Sequence, residues 1–343
     1  MAEALRSMVE SPSIEVIPAT LSDHPATRAW RTVGSEILEP ERIELVKAKK
    51  KSMVYRLVGR AAEGSVVAKR CCLATGLVEK MVQEEFLRSL GMPMLRFYGL
   101  AEDPDGQHCW LFMEEATGQA YSPLNPEHRA AAGRWLATIH AGQCEPGLAS
   151  RLPSQQPAHY LERLQTSRDA LVRLLAEVVL PSGDVDAMQA IISHYDLLET
   201  HWGELEEACE AAPPAVVHGD FVIKNVRVRS TPSGPALLVF DWELSGWGTP
   251  AADLAQFTGG MVSPDLAAYR SARTAAGCLL NAQDLERLSA CGEFFRLIDE
   301  VAWETSASFQ GYKTYRYLVR ALSCLRVYEP RLAAALRRIG WSS

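Results

Sequence analysis

The stretch from Val216 to Val228 is mostly apolar, yet four polar side chains lie within eight of its residues: His218, Asp220, Lys224 and Asn225. A carboxylate such as Asp220 can orient a hydroxyl group or accept its proton. Five residues later, the amide of Asn225 can offer its oxygen to a hard cation. These residue types at this spacing predict chemistry on a hydroxyl group beside a bound metal ion.

A further carboxylate, Asp241, follows the apolar run 237–240, sixteen residues after Asn225. A carboxylate at the end of a buried strand is costly unless a cation pairs with it, and Mg²⁺ that also binds phosphate oxygens is suitable. In kinases, an acid orients the hydroxyl while an Asn and a second Asp bind the metal. We therefore predict Asp220 as the catalytic residue and Asn225 and Asp241 as Mg²⁺ ligands. His218 is expected to support the loop, and Lys224 is left open between a phosphate contact and a solvated charge.

The elements that must position these residues fall into two groups. The first third of the chain has strand patterns at 42–47, 53–58, 65–69, 94–98 and 110–113, with one helical pattern that ends at Gly91. After Gly118 the patterns are helical, at 125–140, 157–180, 184–211 and 264–340, and the only strand signals are at 215–217, 226–228 and 236–240. We predict an α+β, bilobal fold: a leader at 1–40 that packs on the first lobe or stays loose, a β-rich N-lobe at 41–116 and a mainly helical C-lobe at 117–343.

Composition limits the function classes. The 343 residues carry a formal charge of −7, which argues mildly against nucleic acid as a partner. No apolar run approaches the ~18 residues of a membrane span, and the start lacks the features of a signal peptide. The eight cysteines form no Cys-x-x-Cys pair, which favours buried free thiols over a disulfide or zinc framework. We expect a cytosolic protein with a small-molecule partner.

Two signatures carry a resemblance to a known family. The run from His218 through Gly219-Asp220-Phe221 to Asn225-Val226, followed by Val239-Phe240-Asp241-Trp242-Glu243, resembles the aminoglycoside phosphotransferase family, whose relatives include choline kinases. The segment 246–255 resembles the family's Gly-x-Pro-x-x-Asp-Leu motif, in which Asp253 is a structural residue. The resemblance extends in order over about 40 to 310. It implies a protein-kinase-like fold, with ATP and Mg²⁺ as cofactors. It also implies phosphorylation of a hydroxyl group on a small molecule. That molecule would be an antibiotic-like compound, which would give antibiotic resistance, or an amino alcohol.

The resemblance also implies residues upstream of the signatures. Lys69 would contact the α- and β-phosphates, and an acid on the following helix would pair with it. The expected position holds Gln83; Glu84 and Glu85 lie beside it and Glu79 one turn earlier, and we choose Glu84. The remaining implied nucleotide contacts are Ser52 in the first loop and the connector residues Met113, Glu114 and Ala116. His140, at the end of a helix, is expected to pack rather than to react.

Two departures and one further prediction complete the sequence-based hypothesis. The loop 49–52 has no glycine, and Trp242-Glu243 stand where protein kinases have Phe-Gly. On a C-terminal helix, Asp299 and Trp303 share a face and could hold an amine. A protein Ser/Thr kinase is disfavoured because Asp241-Trp242-Glu243 stands where such kinases have Asp-Phe-Gly. A nucleotide-binding pseudokinase with a scaffold role is disfavoured because Asp220, Asn225 and Asp241 are all present. The acceptor, the choice of ATP or GTP and the oligomeric state are left open.

Overall fold

The computed structural model describes residues 15–16, 21–33, 38–49, 52–59, 64–144, 146–232, 234–257, 259–309 and 315–341. The chain divides into two compact units. The first consists of Met1–Gly118 and Leu238–Glu243, and the second of Gln119–Leu237 and Leu244–Ser343. The predicted α+β class is confirmed. Among the helices of the described ranges, none has both the length and the apolarity that crossing a bilayer requires.

The first unit is built on a six-stranded antiparallel sheet. Its strands are β1 Glu15–Val16, β2 Arg42–Ala48, β3 Ser52–Val58, β4 Ser65–Cys72, β5 Phe97–Glu102 and β6 His108–Glu114, in the spatial order β1-β2-β3-β4-β6-β5. The predicted sequence of three strands, a helix and two strands is found. The fourth predicted strand, 94–98, is displaced to Phe97–Glu102, because pairing with β6 starts at Phe97 opposite Met113.

Part of the predicted leader belongs to the core of this unit. Helix α1, Pro25–Val33, buries Trp30 completely against one face of the sheet, where it joins a cluster that includes Leu57 and Phe112. The indole Nε1 of Trp30 donates to the carbonyl of Leu38 at 2.7 Å. The leader was expected either to pack on the first lobe or to stay loose, and residues 25–33 pack on it. Residues 1–14, 17–20 and 34–37 lie outside the described ranges.

Helix α2, Leu73–Met81, packs on the opposite face of the sheet. It continues through a π-type turn at Val82–Phe86 and a 3₁₀ turn at Leu87–Leu90, and it ends at Gly91 in the left-handed conformation. The predicted end at Gly91 is confirmed. The π-type turn was not predicted, and it matters because one extra residue in a turn rotates every later side chain relative to the earlier ones.

Helices dominate the second unit. They are α3 Pro126–Ala141, α4 Pro146–Ala149, α5 Pro157–Glu177, α6 Ser182–Thr200, α7 Trp202–Cys209, α8 Ala251–Leu254, α9 Leu266–Ala275, α10 Ala282–Phe309 and α11 Tyr315–Arg338. The predicted cap of α3 is confirmed, since Asn125 Oδ1 accepts from the amides of Glu127 at 2.9 Å and His128 at 3.3 Å. The continuous helix predicted over 184–211 is wrong: it is broken at His201 into α6 and α7.

Two small three-stranded sheets complete the described structure. Their strands are β7 Gln119–Ala120, β8 Ser154–Gln155, β9 Ala215–Val217, β10 Val226–Thr231, β11 Gly234–Val239 and β12 Gly246–Gly248, ordered β11-β10-β7 and β8-β12-β9. The prediction of only three strand signals after residue 118 missed β7, β8 and β12. These strands of two or three residues have no periodicity to detect. Instead, Gly246 and Gly248 permit close approach, because a Cβ on either would lie 2.1–2.4 Å from a backbone oxygen of Pro153 or Gln155.

Candidate active site

In the first unit, Lys69 on β4 lies among three carboxylates. Its Nζ is 3.1 Å from Glu79 Oε2 and 2.8 Å from Glu243 Oε2, and it also contacts Asp241 Oδ1. Burial alone would lower the pKa of this ammonium, but the three acids outweigh burial and raise the pKa above its ordinary value. Lys69 therefore carries its charge at every physiological pH.

The helix acid that pairs with Lys69 is Glu79, so the prediction of Glu84 is wrong. Glu79 is fully buried, and its second oxygen accepts from the amide of Trp242 at 3.4 Å. Glu84 is exposed, and its nearest cation is Lys80 at 3.9 Å. The physical reason is that Glu79 lies four residues before the expected position Gln83, on the same buried helical face, whereas Glu84 is one residue further round the helix and faces solvent.

Asp241 has an unusual backbone. Its φ of 71° lies in the left-handed region, which residues with a Cβ rarely adopt and which is enriched at functional sites. Its carboxylate contacts Lys69, and so does Glu243, two residues later. In the sequence, Glu243 was predicted only as a departure from Phe-Gly; the carboxylate spacing Asp-x-Glu was the signal that it also belongs to the site.

The charges around Lys69 suit a divalent cation. The ammonium of Lys69 contacts the carboxylates of Glu79, Asp241 and Glu243, and carboxylate oxygens are ligands that hard cations bind. In the described part of the chain, no group of three or more His, Cys, Asp or Glu forms a ready-made metal site. Mg²⁺ is commonly held by one or two protein oxygens together with substrate phosphates, so the predicted role of Asp241 as a metal ligand does not require such a group.

The residues predicted to contact the nucleotide base lie along β6 and just after it. Met113 is buried in a small cluster with Cys71, Cys109 and Leu111. Glu114 ends the strand, and its amide donates to the carbonyl of Arg96 at 2.8 Å. Ala116 follows in a segment without regular structure. These three positions remain predictions.

Ser52, the predicted phosphate contact, begins β3 and exchanges backbone hydrogen bonds with Lys49, at 2.9 Å and 3.3 Å. Lys50 and Lys51, in the same loop, lie outside the described residues. The contact of Ser52 with a phosphate is therefore still a prediction.

In the second unit, the loop that carries Asp220 leaves β9 through a turn that requires glycine. Gly219 has φ of 75°, and a Cβ at this position would lie 2.3 Å from the carbonyl oxygen of Leu244. Fully buried Asp253 accepts from the amide of His218 at 2.7 Å and from that of Gly219 at 3.0 Å. Asp253 thus holds the backbone of the loop, which is the kind of structural contact that the family motif implies.

Two histidines support the same loop. His218 Nδ1 accepts from the amide of Asp220 at 3.3 Å, so this ring braces the turn. His140 lies 3.3 Å from Asp253 through Nε2 and 3.0 Å from the hydroxyl of Tyr269 through Nδ1. Burial lowers the pKa of His140, although Asp253 acts in the opposite direction. The contacts of His140 are those of a packed, hydrogen-bonded support.

Asp220 itself is buried and surrounded by donors. Its Oδ1 accepts from Arg296 Nη1 at 2.8 Å, and its Oδ2 lies 3.1 Å from Lys224 Nζ. Burial would raise the pKa of this carboxyl, but Arg296 and Lys224 outweigh it and hold the pKa below its ordinary value. Asp220 is therefore ionised at neutral pH. Lys224, which the sequence left open, has a largely exposed side chain that pairs with Asp220.

Asn225 is fixed on Asp220. Its Nδ2 donates to the carbonyl of Asp220 at 3.0 Å and to Oδ2 at 3.1 Å. Because the amide nitrogen is used in this way, Oδ1 is the atom that could bind a cation. The donor chemistry of Asn225 therefore fits the predicted metal ligand.

Arg296, on α10, makes the main contact to this loop that the sequence did not predict. Its side chain is only 9% exposed and contacts Asp220, Glu300 at 3.1 Å and the carbonyl of Gly259 at 3.3 Å. The available signal was a guanidinium inside the apolar run 294–298, four residues before an acid.

The structure does not support the predicted amine site at Asp299 and Trp303 on α10, because both side chains already contact arginines. Asp299 pairs with Arg163 at 2.5 Å, and the guanidinium of Arg296 lies over the Trp303 ring, 4.8 Å from its centroid. Burial raises the pKa of Asp299 to about 6, although Arg163 opposes the shift. Since each group already faces a cation of the chain itself, we no longer assign them to a cationic acceptor.

Comparisons with known proteins identify one matching family and several solved structures with a similar fold. The model of the family described as phosphotransferase enzyme family matches residues 57–291. A spectinomycin phosphotransferase solved with ADP and spectinomycin has a TM-score of 0.64 at 10% identity, over 90% of this chain and 97% of that chain. An ethanolamine kinase of Plasmodium vivax has a TM-score of 0.58 at 12% identity, over 90% and 88%.

A choline kinase of Cryptosporidium parvum has a TM-score of 0.56 at 11% identity, over 92% of this chain and 94% of that chain. Among curated proteins, no sequence matches the chain. At these low identities the solved structures show the fold alone, and they confirm the predicted kinase-like fold.

Proposed function

Since the family model matches residues 57–291, the chain belongs to the phosphotransferase enzyme family, and we propose that it uses ATP and Mg²⁺ to phosphorylate a hydroxyl group of a small molecule. The predicted family and the predicted enzyme class, a phosphotransferase, are confirmed. The observation that carries the proposal is the ionised carboxylate of Asp220, on a loop fixed by Asn225 and Asp253.

Asp220 would accept a hydrogen bond from the acceptor hydroxyl and take its proton as the phosphoryl group is transferred. Phosphoryl transfer depends mainly on positioning and on charge stabilisation, so a weakly basic but well-placed carboxylate is adequate. The amide contacts of Asp253 with His218 and Gly219 keep the loop backbone in place. In this proposal, Asp220 is the catalytic residue, and Asp253 is a positioning residue.

Lys69 would bind the nucleotide phosphates, with Glu79 holding its ammonium in position. Asp241 and Asn225 would hold Mg²⁺, which supplies positive charge to the phosphates when it is bound. The carboxylates of Asp241 and Glu243 beside Lys69 support a bound cation, because carboxylate oxygens that lie next to nucleotide phosphates are the ligands that Mg²⁺ prefers. Ser52, Met113, Glu114 and Ala116 are the proposed nucleotide contacts, and we keep the cytosol as the proposed location, which the cysteine pattern favours.

The proposal is tested by measuring ADP formation with a broad panel of alcohols and with ATP or GTP as the donor. The panel contains aminoglycosides, macrolides, peptide antibiotics, choline, ethanolamine, sugars, hydroxy acids and a Ser/Thr peptide as the probe for a protein kinase. We expect Mg²⁺-dependent ADP formation with one small-molecule class, lost in Asp220→Asn. Nucleotide binding without turnover of any acceptor would contradict the proposal and favour a scaffold role.

The metal assignment has its own measurement. Calorimetric titration of ADP with and without Mg²⁺ should show tighter binding with the ion in the natural protein. In Asp241→Asn this gain should fall by at least tenfold, because the nucleotide-bound ion loses a carboxylate ligand. An unchanged Mg²⁺ dependence would refute the role of Asp241.

A further inference from the structure

The catalytic carboxylate is flanked by cations on both oxygens. Arg296 Nη1 lies 2.8 Å from Asp220 Oδ1, and Lys224 Nζ lies 3.1 Å from Oδ2. A hydroxyl that bonds to either oxygen sits about 2.6–3.2 Å from it. The reacting hydroxyl is therefore within roughly 6 Å of a positive charge, and so are the atoms of the acceptor next to it.

The acids near this carboxylate do not offset those cations. Glu300 contacts Arg296 at 3.1 Å and Arg331 at 2.9 Å, and Asp299 contacts Arg163 at 2.5 Å. Each of these two acids is thus already paired with a cation of the chain, Glu300 with Arg296 and Arg331 and Asp299 with Arg163. Such a surrounding is unfavourable for an acceptor that carries an ammonium group beside its hydroxyl.

The guanidinium of Arg296 also has capacity for an anion. Its bonds to Asp220, Glu300 and the carbonyl of Gly259 use three of the five N–H donors of an arginine. The ring of Trp303, 4.8 Å away, holds the guanidinium plane in position. The side chains of Arg296 and Asp220 are largely buried, with 9% and 10% of their surfaces exposed, so an acceptor would contact them only at that exposed edge.

We propose that Arg296 is a specificity-determining residue that selects an acceptor with an anionic group, a carboxylate or a phosphate, next to the reacting hydroxyl. This inference rests on the proposed function of Asp220 as the residue that binds that hydroxyl. The anion would pair with the guanidinium by charge-assisted hydrogen bonds while Asp220 holds the hydroxyl. Acceptors with an ammonium group at the same place would be rejected by like charge.

The test uses three alcohols of equal size: a short hydroxy acid, its uncharged amide and the matching amino alcohol. kcat/KM is measured for each by ADP formation. In the natural protein we expect the order acid, amide, amine, with at least a tenfold difference between acid and amine. In Arg296→Gln the ratio should fall towards one, and in Arg296→Lys the preference for the acid should remain. A phosphomonoester of the same length distinguishes a phosphate from a carboxylate as the favoured anion.

The matched control is Arg331→Gln, which removes a cation that pairs with Glu300 but not with Asp220; it should leave the acid-to-amine ratio within about twofold of the natural value. Should no member of the series be turned over, the same compounds are titrated into the protein with ADP and Mg²⁺, and the acid must bind more tightly than the amine. A preference for the amine, or a ratio that Arg296→Gln does not change, overturns the inference. If the protein phosphorylates only cationic alcohols, the inference about Arg296 is wrong, but the proposed function as a small-molecule phosphotransferase is still supported.

Discussion

Arg296 on α10 donates to the carboxylate of Asp220 at 2.8 Å, across 76 residues of sequence. Neither side chain would be stable in its buried position alone, because an unpaired buried charge costs several kcal/mol. The pair therefore joins the loop after β9 to a helix near the end of the chain. It also keeps Asp220 ionised, which is the form that can orient a hydroxyl.

The first prediction concerns Asp220→Asn. The amide keeps one acceptor oxygen, so it can accept from Arg296 or from Asn225 but not from both, and it can no longer take a proton. Phosphoryl transfer should therefore fall by about 10²–10⁴-fold. The dissociation constant for ADP with Mg²⁺, measured by calorimetry, should stay within about threefold. Asp169→Asn, on the exposed surface of α5, is the control and should keep full turnover. Turnover by Asp220→Asn equal to that of the natural protein would exclude the catalytic role.

The second prediction separates two acids on one helical segment. Glu79→Gln removes the buried charge that holds Lys69, so KM for the nucleotide should rise by about tenfold or more. Glu84→Gln removes an exposed charge 3.9 Å from Lys80 and should change KM by less than twofold. Steady-state kinetics with varied nucleotide measures both. Equal effects of the two substitutions would show that the contact of Glu79 has no role in nucleotide binding.

The third prediction compares two glycines with the same backbone conformation. Gly219 and Gly64 have φ of 75° and 77°, but only at Gly219 would a Cβ collide, with the carbonyl oxygen of Leu244 at 2.3 Å. Gly64→Ala should cost about 1 kcal/mol in the free energy of unfolding, from the backbone alone. Gly219→Ala should cost at least about 2 kcal/mol more, since overpacking adds to the same backbone cost.

Denaturant unfolding followed by far-ultraviolet circular dichroism gives both free energies. Gly219→Ala should also lose turnover, because the displaced backbone carries Asp220 with it. A cost no greater than that of Gly64→Ala would show that the turn can move away from Leu244 without loss.

The fourth prediction is a pH dependence that arises from His140. Burial lowers its pKa in the folded state, so the unfolded state binds more protons below the ordinary value of 6.5. Stability must then be fully present above pH 6.5 and be lost as the pH falls through that value. Part of this slope should disappear in His140→Gln, whose amide can still reach Asp253 and Tyr269.

Unfolding free energies of the natural protein and His140→Gln, measured between pH 5 and 8, give the two slopes. His108→Gln is the control, because this half-exposed histidine lies on β6, in the other unit. A slope for His140→Gln as steep as that of the natural protein would mean that His140 titrates without coupling to folding.

The fifth prediction tests the contribution of the N-terminal segment to the core. Trp30→Ala removes a fully buried indole and its bond to the carbonyl of Leu38, which should cost about 3–5 kcal/mol. Leu77→Ala, at a 40% exposed position of α2, should cost less than about 1 kcal/mol. Chemical denaturation monitored by tryptophan fluorescence and circular dichroism measures the difference. A small cost for Trp30→Ala would place helix α1 outside the cooperative core.

The sequence alone determined those features whose physics is local. The strand that stops before His218-Gly219-Asp220 and resumes at Val226 follows from apolar patterning, a glycine and polar residues within a dozen positions. The cap at Asn125 and the helix end at Gly91 follow from the preferences of single residues for particular backbone geometries. These features, with the family resemblance, were sufficient to predict the fold class and a phosphotransferase.

Only the tertiary structure decided which charges meet. Lys69 and Asp241 are 172 residues apart, and Asp220 and Arg296 are 76 residues apart, so no periodicity connects them. The acid that pairs with Lys69 is Glu79, one turn before the expected position, and only the folded structure shows that Glu79 is buried beside Lys69 while Glu84 faces solvent. The acids of α10 likewise read as free charges in the sequence, yet Arg163, Arg296 and Arg331 neutralise them in the fold. Electrostatic environment depends on distance in space, and for these residues that distance is fixed by packing.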